Sequence, residues 1–299
     1  MRILYVGKFS SSDDEEHIAQ SLENLGHEVI RLPMSMTEQE MHRKITLSRY
    51  DFILFAKWEP SQLIKEAIKN KNTKTVCWLF DLYWDYPRQY RLKSSWYFKA
   101  DKVITTDGGE HPWSKIGINH SCVRQGIFDK ECYIEEFNEP DGVVFVGSDN
   151  PFFPERSKLM NQLNIDYQFE WIGKHSSKEA RGPVLNSIYA ATKIVVGDSV
   201  YSPRYWSNRV VETLGRGGFL IHREVEGIKE EYPFLVTYNG KYDDLKSKID
   251  YFMSHEEERR DIVIKNFNWV KEHYTYDKKC KELMDIICEE LFATPQNKV

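Results

Sequence analysis

The stretch YSPRYWSNRVVETLGRGGFLIH, Tyr201 to His222, decides how the rest of the chain is read. Val210, Val211 and Leu214 recur at i, i+1 and i+4, the spacing of a helical face turned toward a core. Ser207 stands where a cap would open that helix, and Gly215, Gly217 and Gly218 stand where it would close. Phe219, Leu220 and Ile221 follow as a short apolar run that suits a buried strand. A helix that begins beside a ligand offers free N–H groups and the positive end of its dipole, both suited to phosphate. Arg204 and Arg209 bring fixed positive charge to that end, with Ser207 and Asn208 between them. Glu212, one turn in, can accept hydrogen bonds from two ribose hydroxyls. The combination reads as a grip for a nucleotide diphosphate. The plainer reading of the same residues is an amphipathic helix with solvated charges.

Upstream of this stretch the sequence repeats a strand–helix alternation. Gly142 to Val146 is an apolar run that ends in Gly147 and Ser148, a first strand-to-helix turn where phosphate or sugar would lie. Arg156 falls about a turn into the following helix, where it faces either a diphosphate or solvent. Phe169 to Ile172 is the next strand, ending at Gly173, and Arg181 to Ala190 reads as a helix. Ile194 to Val196 is a third strand, closed by Gly197, Asp198 and Ser199. Downstream, Leu235 to Thr237 reads as a strand, and Asp243 to Met253, Glu256 to Trp269 and Tyr276 to Leu291 as amphipathic helices before a frayed tail. Gly126 to Asp141 is polar and irregular, with acidic residues, Pro140 and Gly142, and reads as a linker between domains.

The first half shows the same alternation. Strands are expected at Arg2 to Val6, Glu28 to Leu32, Asp51 to Ala56, Thr75 to Phe80, Lys102 to Thr106 and Ser121 to Gln125, with helices at Glu15 to Leu25 and Ser61 to Asn70. Gly7 stands alone where a G-x-G-x-x-G dinucleotide fingerprint would need company, which argues against NAD. Asp81 and Asp85 lie in DLYWDYPRQY, at the carboxyl end of a strand, where open α/β sheets bind ligands. Asp81 is a candidate general base, and Asp85 an acceptor contact or a helix cap. Asp107 and His111 cluster in DGGEHPW, and His17 sits near the start of the first helix. His111 and His17 are the other two catalytic candidates, and Asp107 an acceptor contact. A simple turn or a surface histidine is the alternative for each.

The 299 residues suit two domains of ordinary size, and 41% apolar with 29% charged residues is the composition of a globular protein. A net charge of −5 gives no general attraction to nucleic acid or anionic membrane. The 5 scattered cysteines form no CxxC pair, which fits reduced thiols in the cytoplasm better than a disulfide framework or a zinc site. The N-terminus lacks the layout of a signal peptide, and no apolar run approaches the roughly 18 residues of a membrane span.

Ser207, Arg209, Glu212, Gly218, Phe219 and Leu220 together resemble the S-x-R-x-x-E…G-x-F-L pattern of the spore-maturation (CgeB-like) group, related to the glycosyl transferases group 1 proteins. EHIA, LGHEV, TDGGEH and HYTYDKKCKEL carry the likeness over most of the chain. The resemblance implies an α/β protein of GT-B fold: two Rossmann-like domains facing across a cleft. They would be an acceptor-side domain at 1–126, a linker at 127–141, a nucleotide-sugar domain at 142–275, and a helix at 276–299 returning to the first domain. It implies a hexosyl- or pentosyltransferase with a nucleotide-diphosphate sugar as co-substrate, no cofactor, no bound metal and a retaining course. The acceptor is left open among saccharide, lipid, protein and a hydroxylated DNA base. One position departs from the pattern: many group 1 enzymes carry a second Glu where Arg204 stands, which keeps open a non-catalytic nucleotide-sugar-binding protein.

Overall fold

Near-continuous apolar runs become parallel strands covered on both faces. The computed structural model describes residues 1–47, 49–56, 65–66, 69, 73–136, 140–148, 154–173 and 180–293. It divides into two units, Met1–Gln125 with Tyr276–Val299, and Gly126–Thr275.

In the first unit, β1 (Arg2–Gly7), β2 (Glu28–Pro33), β3 (Phe52–Phe55), β4 (Lys74–Leu79), β5 (Lys102–Thr105) and β6 (His120–Cys122) form a parallel sheet in the order β2-β1-β3-β4-β5-β6. In the second, β7 (Val143–Val146), β8 (Phe169–Ile172), β9 (Ile194–Gly197), β10 (Leu220–Arg223) and β11 (Val236–Tyr238) are parallel in the order β11-β10-β9-β7-β8. The chain leaves β7 for β8 on one side and returns as β9 on the other. The carboxyl ends of β7 and β9 therefore flank a topological switch point, where open α/β sheets form their binding crevice.

The helices are α1 (Asp14–Asn24), α2 (Glu38–Leu47), α3 (Arg91–Ser94), α4 (Pro154–Asp166), α5 (Pro183–Ala190), α6 (Arg209–Gly215), α7 (Ile228–Glu231), α8 (Tyr242–Ser254), α9 (Glu256–His273) and α10 (Tyr276–Ile287). In α1, Asp14, Glu15 and Glu16 occupy the first turn and complement the helix dipole, while Ile18 and Leu22 are buried. The second sheet is packed on both sides. Val144, Val195 and Leu220 join Val210 and Leu214 in one core, and Val143, Phe145, Ile194, Val196 and Ile221 join Leu245, Ile249 and Phe252 in the other. That division is the two-residue alternation of a strand.

The expected strands and helices recur with ends shifted by at most four residues, the largest shifts at α9, which runs on to His273, and at α10, which ends at Ile287. The expected helix at Ser61 to Asn70 lies largely outside the described residues. Two differences have physical reasons. The helix α2 was not expected. Its start carries a reciprocal cap, in which the Thr37 hydroxyl and N–H both donate to Glu40 Oε2 at 2.8 and 3.1 Å and the Glu40 N–H points back to Thr37 at 3.4 Å. The segment read as a linker, 127–141, is part of the second unit. Ile127, Glu131 and Cys132 in it are buried, and Ile127 pairs with Thr275. Glu131 in it is buried by an ionic contact, while Lys130, Glu136 and Asp141 are exposed.

The last helix, α10, packs on α1 within the first unit, burying Cys280, Leu283 and Ile287, and Tyr276 donates to Asp14 at 2.9 Å. Just beyond it, Glu290 accepts from the Lys102 ammonium at 2.6 Å and from Ser121 at 3.2 Å. Lys102 is 1% exposed, so its charge depends on Glu290 and on Asn119, 3.0 Å away. Among the described residues, no helix is long and apolar enough to cross a membrane. Replacing Glu290 with Ala leaves the buried ammonium with one neutral acceptor and should lower the unfolding free energy by ~2 kcal/mol in urea titrations. A change below about 0.5 kcal/mol, the range of ordinary surface substitutions, would show that solvent replaces the carboxylate.

Candidate functional site

At the carboxyl ends of β7 and β9, two guanidinium groups gather around one aromatic ring. Arg209, the first residue of α6, donates from Nε to the Val146 carbonyl at 2.5 Å and from a terminal nitrogen to the Asp198 carbonyl at 2.8 Å. Its guanidinium lies 4.4 Å from the centre of the Phe145 ring, and that of Arg156 lies 5.3 Å from the same centre. Arg156, from the first turn of α4, pairs with the Asp198 carboxylate at 3.2 Å and donates to the Ser148 carbonyl at 3.1 Å. Burial, and then repulsion from Arg156, push the Arg209 guanidinium down to about 10, so it stays cationic at neutral pH. Among the described residues, two cations here face one carboxylate in a partly dry place, a setting that favours an anion. Space for Arg209 comes from glycine: a Cβ on Gly147 would collide with its guanidinium, and one on Gly173 would press on the Gly147 carbonyl at 3.3 Å.

The loop before α6 differs from its sequence reading. The N-cap is Asn208, which is exposed and makes no capping hydrogen bond, and the buried Ser207 hydroxyl has no partner among the described residues. Ser207 therefore does not cap the helix. Its N–H instead donates to the Ser199 hydroxyl at 3.4 Å, which lies 3.0 Å from His222 Nε2. His222 Nδ1 lies 2.6 Å from the Arg223 carbonyl, so that nitrogen carries the proton and Nε2 accepts from Ser199. Arg204 sits in a left-handed conformation at φ 55° and pairs with Glu230 at 2.9 Å.

Glu212 is held by a residue the sequence reading did not single out. Arg216, one turn on and 2% exposed, donates from Nε to Glu212 Oε2 at 2.9 Å and approaches the same oxygen with a terminal nitrogen at 2.8 Å. That nitrogen also pairs with Glu131, while the other donates to the Gly182 carbonyl at 3.0 Å and to Asn186 Oδ1 at 2.5 Å. The i, i+4 spacing of Glu212 and Arg216 was visible, but nothing local marked Glu131, eighty-odd positions earlier, as the second carboxylate.

In the first unit, Asp107 and His111 follow β5. Nε2 of His111 lies 3.2 Å from Oδ2 of Asp107, whose side chain is 2% exposed and whose other oxygen accepts from the Gly109 N–H at 3.0 Å. Burial raises the Asp107 carboxyl above its usual range, against the pull of the Gly109 N–H and of His111. The His111 ring stacks on Trp84 at 5.2 Å, and Trp113 stacks on His120 at 4.1 Å. The indole nitrogens of Trp84 and Trp113 are buried and have no partner among the described residues. The other first-unit candidates are differently occupied. Asp81 pairs with Arg88 at 2.9 Å. Asp85 is exposed at φ 51°, so it caps no helix. His17 is buried with Nε2 3.0 Å from the Ser11 carbonyl. Among the described residues, no group of three or more His, Cys, Asp or Glu side chains is placed to hold a metal ion.

Known proteins share this fold. Residues 154–285 match the family model described as glycosyl transferase-like. The whole chain superposes on a glycosyltransferase from Rickettsia africae ESF-5 with a TM-score of 0.64 and 14% identity, covering 98% of this chain and 99% of that one. The fold is that of the GT-B glycosyltransferases. An E. coli structure described as trehalose-6-phosphate bound with UDP-2-fluoro glucose gives a TM-score of 0.66 at 9% identity over 96% of this chain and 99% of that one. An alpha1,3-fucosyltransferase gives 0.58 at 12% identity over 97% and 90%. No curated protein sequence matches the chain. The glycosyl transferase-like segment contains every second-unit residue named in this site except those of β7, its turn and Glu131.

His222 gives this GT-B domain a pH signature. Burial, the dominant cause, pushes its imidazole from 6.5 down to about 4, so between those values the unfolded chain binds a proton that the folded chain does not. Unfolding free energy therefore rises with pH across that window, and His222 should contribute roughly 3 kcal/mol of the rise. The buried His120, pushed down to about 3, acts in the same direction. A His222→Gln variant should show a flatter stability–pH curve from pH 4 to 6.5 in denaturant titrations; an unaltered slope would mean that His222 is protonated in the folded state.

Proposed function

We propose that the chain is a glycosyltransferase that moves a hexosyl or pentosyl group from a nucleotide-diphosphate sugar to an acceptor hydroxyl, without a bound metal and with retention at the anomeric carbon. The observation that carries this is the Arg156–Arg209 pair of guanidiniums gathered around the Phe145 ring, with Asp198 beside Arg156. In the transfer, the bond from the sugar C1 to the diphosphate oxygen breaks and a bond from C1 to the acceptor oxygen forms. Negative charge grows on the leaving diphosphate, and two preset guanidiniums stabilise it as it grows. The departing phosphate oxygen becomes basic at that moment and takes the acceptor proton, so the retaining course needs no protein base. The Gly147–Ser148 turn and Gly173 would give the diphosphate and sugar close backbone approach, and Glu212 would accept from the ribose hydroxyls. Ser207 and Asn208 would line the same loop. Arg204, tied to Glu230, would lie at its rim as a sugar contact.

Two comparisons support the reading. The glycosyl transferase-like match covers the segment with most of these side chains. A trehalose-6-phosphate synthase of similar fold, TM-score 0.63 at 9% identity, is described as transferring with retention. One observation favours a second course. In the Asp107–His111 pair a buried carboxylate lies 3.2 Å from Nε2 without hydrogen-bonding it, close enough to become its partner once the pair realigns, which would leave Nδ1 to accept a proton. That is the arrangement of a general base, and an inverting enzyme needs one. Asp81 and His17 are already engaged here, Asp81 by Arg88 and the buried His17 by the Ser11 carbonyl. Asp85 and Asp107 would contact the acceptor, whether saccharide, lipid, protein or hydroxylated DNA base.

A thermal-shift series with UDP-, GDP-, ADP-, CDP- and dTDP-sugars should give a concentration-dependent rise for at least one. Arg209→Ala should weaken that donor by about tenfold or more, ~1.4 kcal/mol. No shift with any donor would remove the transferase reading. Proton NMR of the sugar product then decides the course: an unchanged anomeric configuration, with His111→Gln still active, supports retention. An inverted anomer together with loss of transfer in His111→Gln supports the dyad.

A further inference from the structure

Arg216 is anchored more completely than any surface contact of α6 requires. Its Nε and one terminal nitrogen both point at Glu212 Oε2, at 2.9 and 2.8 Å, and the remaining donors are spent on Glu131, the Gly182 carbonyl and Asn186. Asn186, itself fully buried, ties the far side of the knot by donating to the Glu131 and Tyr133 carbonyls at 3.0 and 2.8 Å. Gly182 is held at φ 61° with no side chain, and a Cβ there would stand 3.3 Å from Glu131 Oε1. Three separate segments, 126–135, α5 and α6, thus converge on one planar cation.

The charges divide along α6. Arg209 and Glu212 are three residues apart, hence neighbours on one side of the helix, about 5–6 Å between Cβ atoms. Around Arg209 and Arg156 two cations meet one carboxylate; around Arg216 one cation meets two carboxylates. The first arrangement suits an anion. The second sets a carboxylate where it can accept from hydroxyl donors. A guanidinium fork that contacts one carboxylate oxygen through two nitrogens also fixes the plane of that carboxylate, which a lysine cannot do.

We propose that Arg216, braced by Glu131, is a positioning residue that sets the Glu212 carboxylate to read the ribose 2′- and 3′-hydroxyls of the nucleotide. This rests on Glu212 as the ribose ligand, as proposed above. Preference for ribose over deoxyribose is then a property of the Arg216–Glu131 brace, while diphosphate affinity belongs to Arg156 and Arg209.

The test measures binding to the full chain of inorganic pyrophosphate, and of UDP, GDP and ADP alongside their 2′-deoxy forms. The wild-type protein should favour at least one ribonucleotide by about tenfold over its 2′-deoxy form, the size of one well-made charged hydrogen bond. Glu212→Gln and Arg216→Lys should both reduce that ratio to about one, with pyrophosphate affinity retained. Glu131→Gln keeps an oxygen for Arg216 but removes the charge, and should lower the ratio part of the way; it serves as the second variant if Arg216→Lys loses pyrophosphate binding through misfolding. Should Glu212→Gln lose the ratio while Arg216→Lys and Glu131→Gln keep it in full, the brace is overturned and the ribose reading stands. A wild-type protein that binds no nucleotide, or binds both sugars equally, overturns the ribose reading and the brace with it.

Discussion

Among the described residues, two guanidiniums and one carboxylate gather around the ring of Phe145, and much of the second unit is arranged to hold them there. Burial, and then repulsion between like charges, depresses the Arg209 guanidinium. The pair persists because backbone carbonyls, from Val146 and Asp198 to Arg209 and from Ser148 to Arg156, solvate each cation without neutralising it. A second carboxylate at this place would remove the reason for an anion to bind. The same topology supplies all these carbonyls. They belong to the ends of β7 and β9, the two strands between which the chain reverses direction across the sheet.

Much of the fold was legible because buried parallel strands write themselves as apolar runs, and LYV, FILF, VCWL, VVFV and IVV carry that signal alone. Helix faces were legible for the same reason. What escaped was structure whose cause lies elsewhere in the chain. The segment 127–141 reads as a polar linker because it contains Glu131, and Glu131 is buried only because Arg216 meets it. No window of sequence around either residue contains both. The helix α2 was missed although its capping pair, Thr37 and Glu40, stood in the expected spacing, because its apolar residues are too few to show a period.

The candidate site divides in the same way. Arg209 and Arg156 were found from position alone, each near the start of a helix that follows a sheet strand. Their partner Asp198 was noticed only as the end of a strand. Ser207 was expected to cap α6 because Ser is a frequent cap, yet its hydroxyl turns away and its N–H serves Ser199. In the first unit, the sequence ranks the candidate bases Asp81, then His17, then His111, from position alone. Position could not show their partners: Arg88 on Asp81, the Ser11 carbonyl on His17, and for His111 a buried carboxylate and an aromatic stack.

Burying an arginine with two glutamates is a weak way to gain stability, since desolvation of three charges offsets most of their attraction. An apolar trio of similar volume would serve a structural purpose as well. The arrangement makes sense where orientation matters more than stability. Glu212 emerges on the same helix side as Arg209, at 16% exposure, with one oxygen fixed from behind by a planar cation that is itself fixed at four points. A carboxylate free to rotate would lose entropy on accepting two hydroxyls and would accept one nearly as well as two. One held in a single plane discriminates between a diol and a lone hydroxyl, because the geometry that satisfies both donors is set before the ligand arrives.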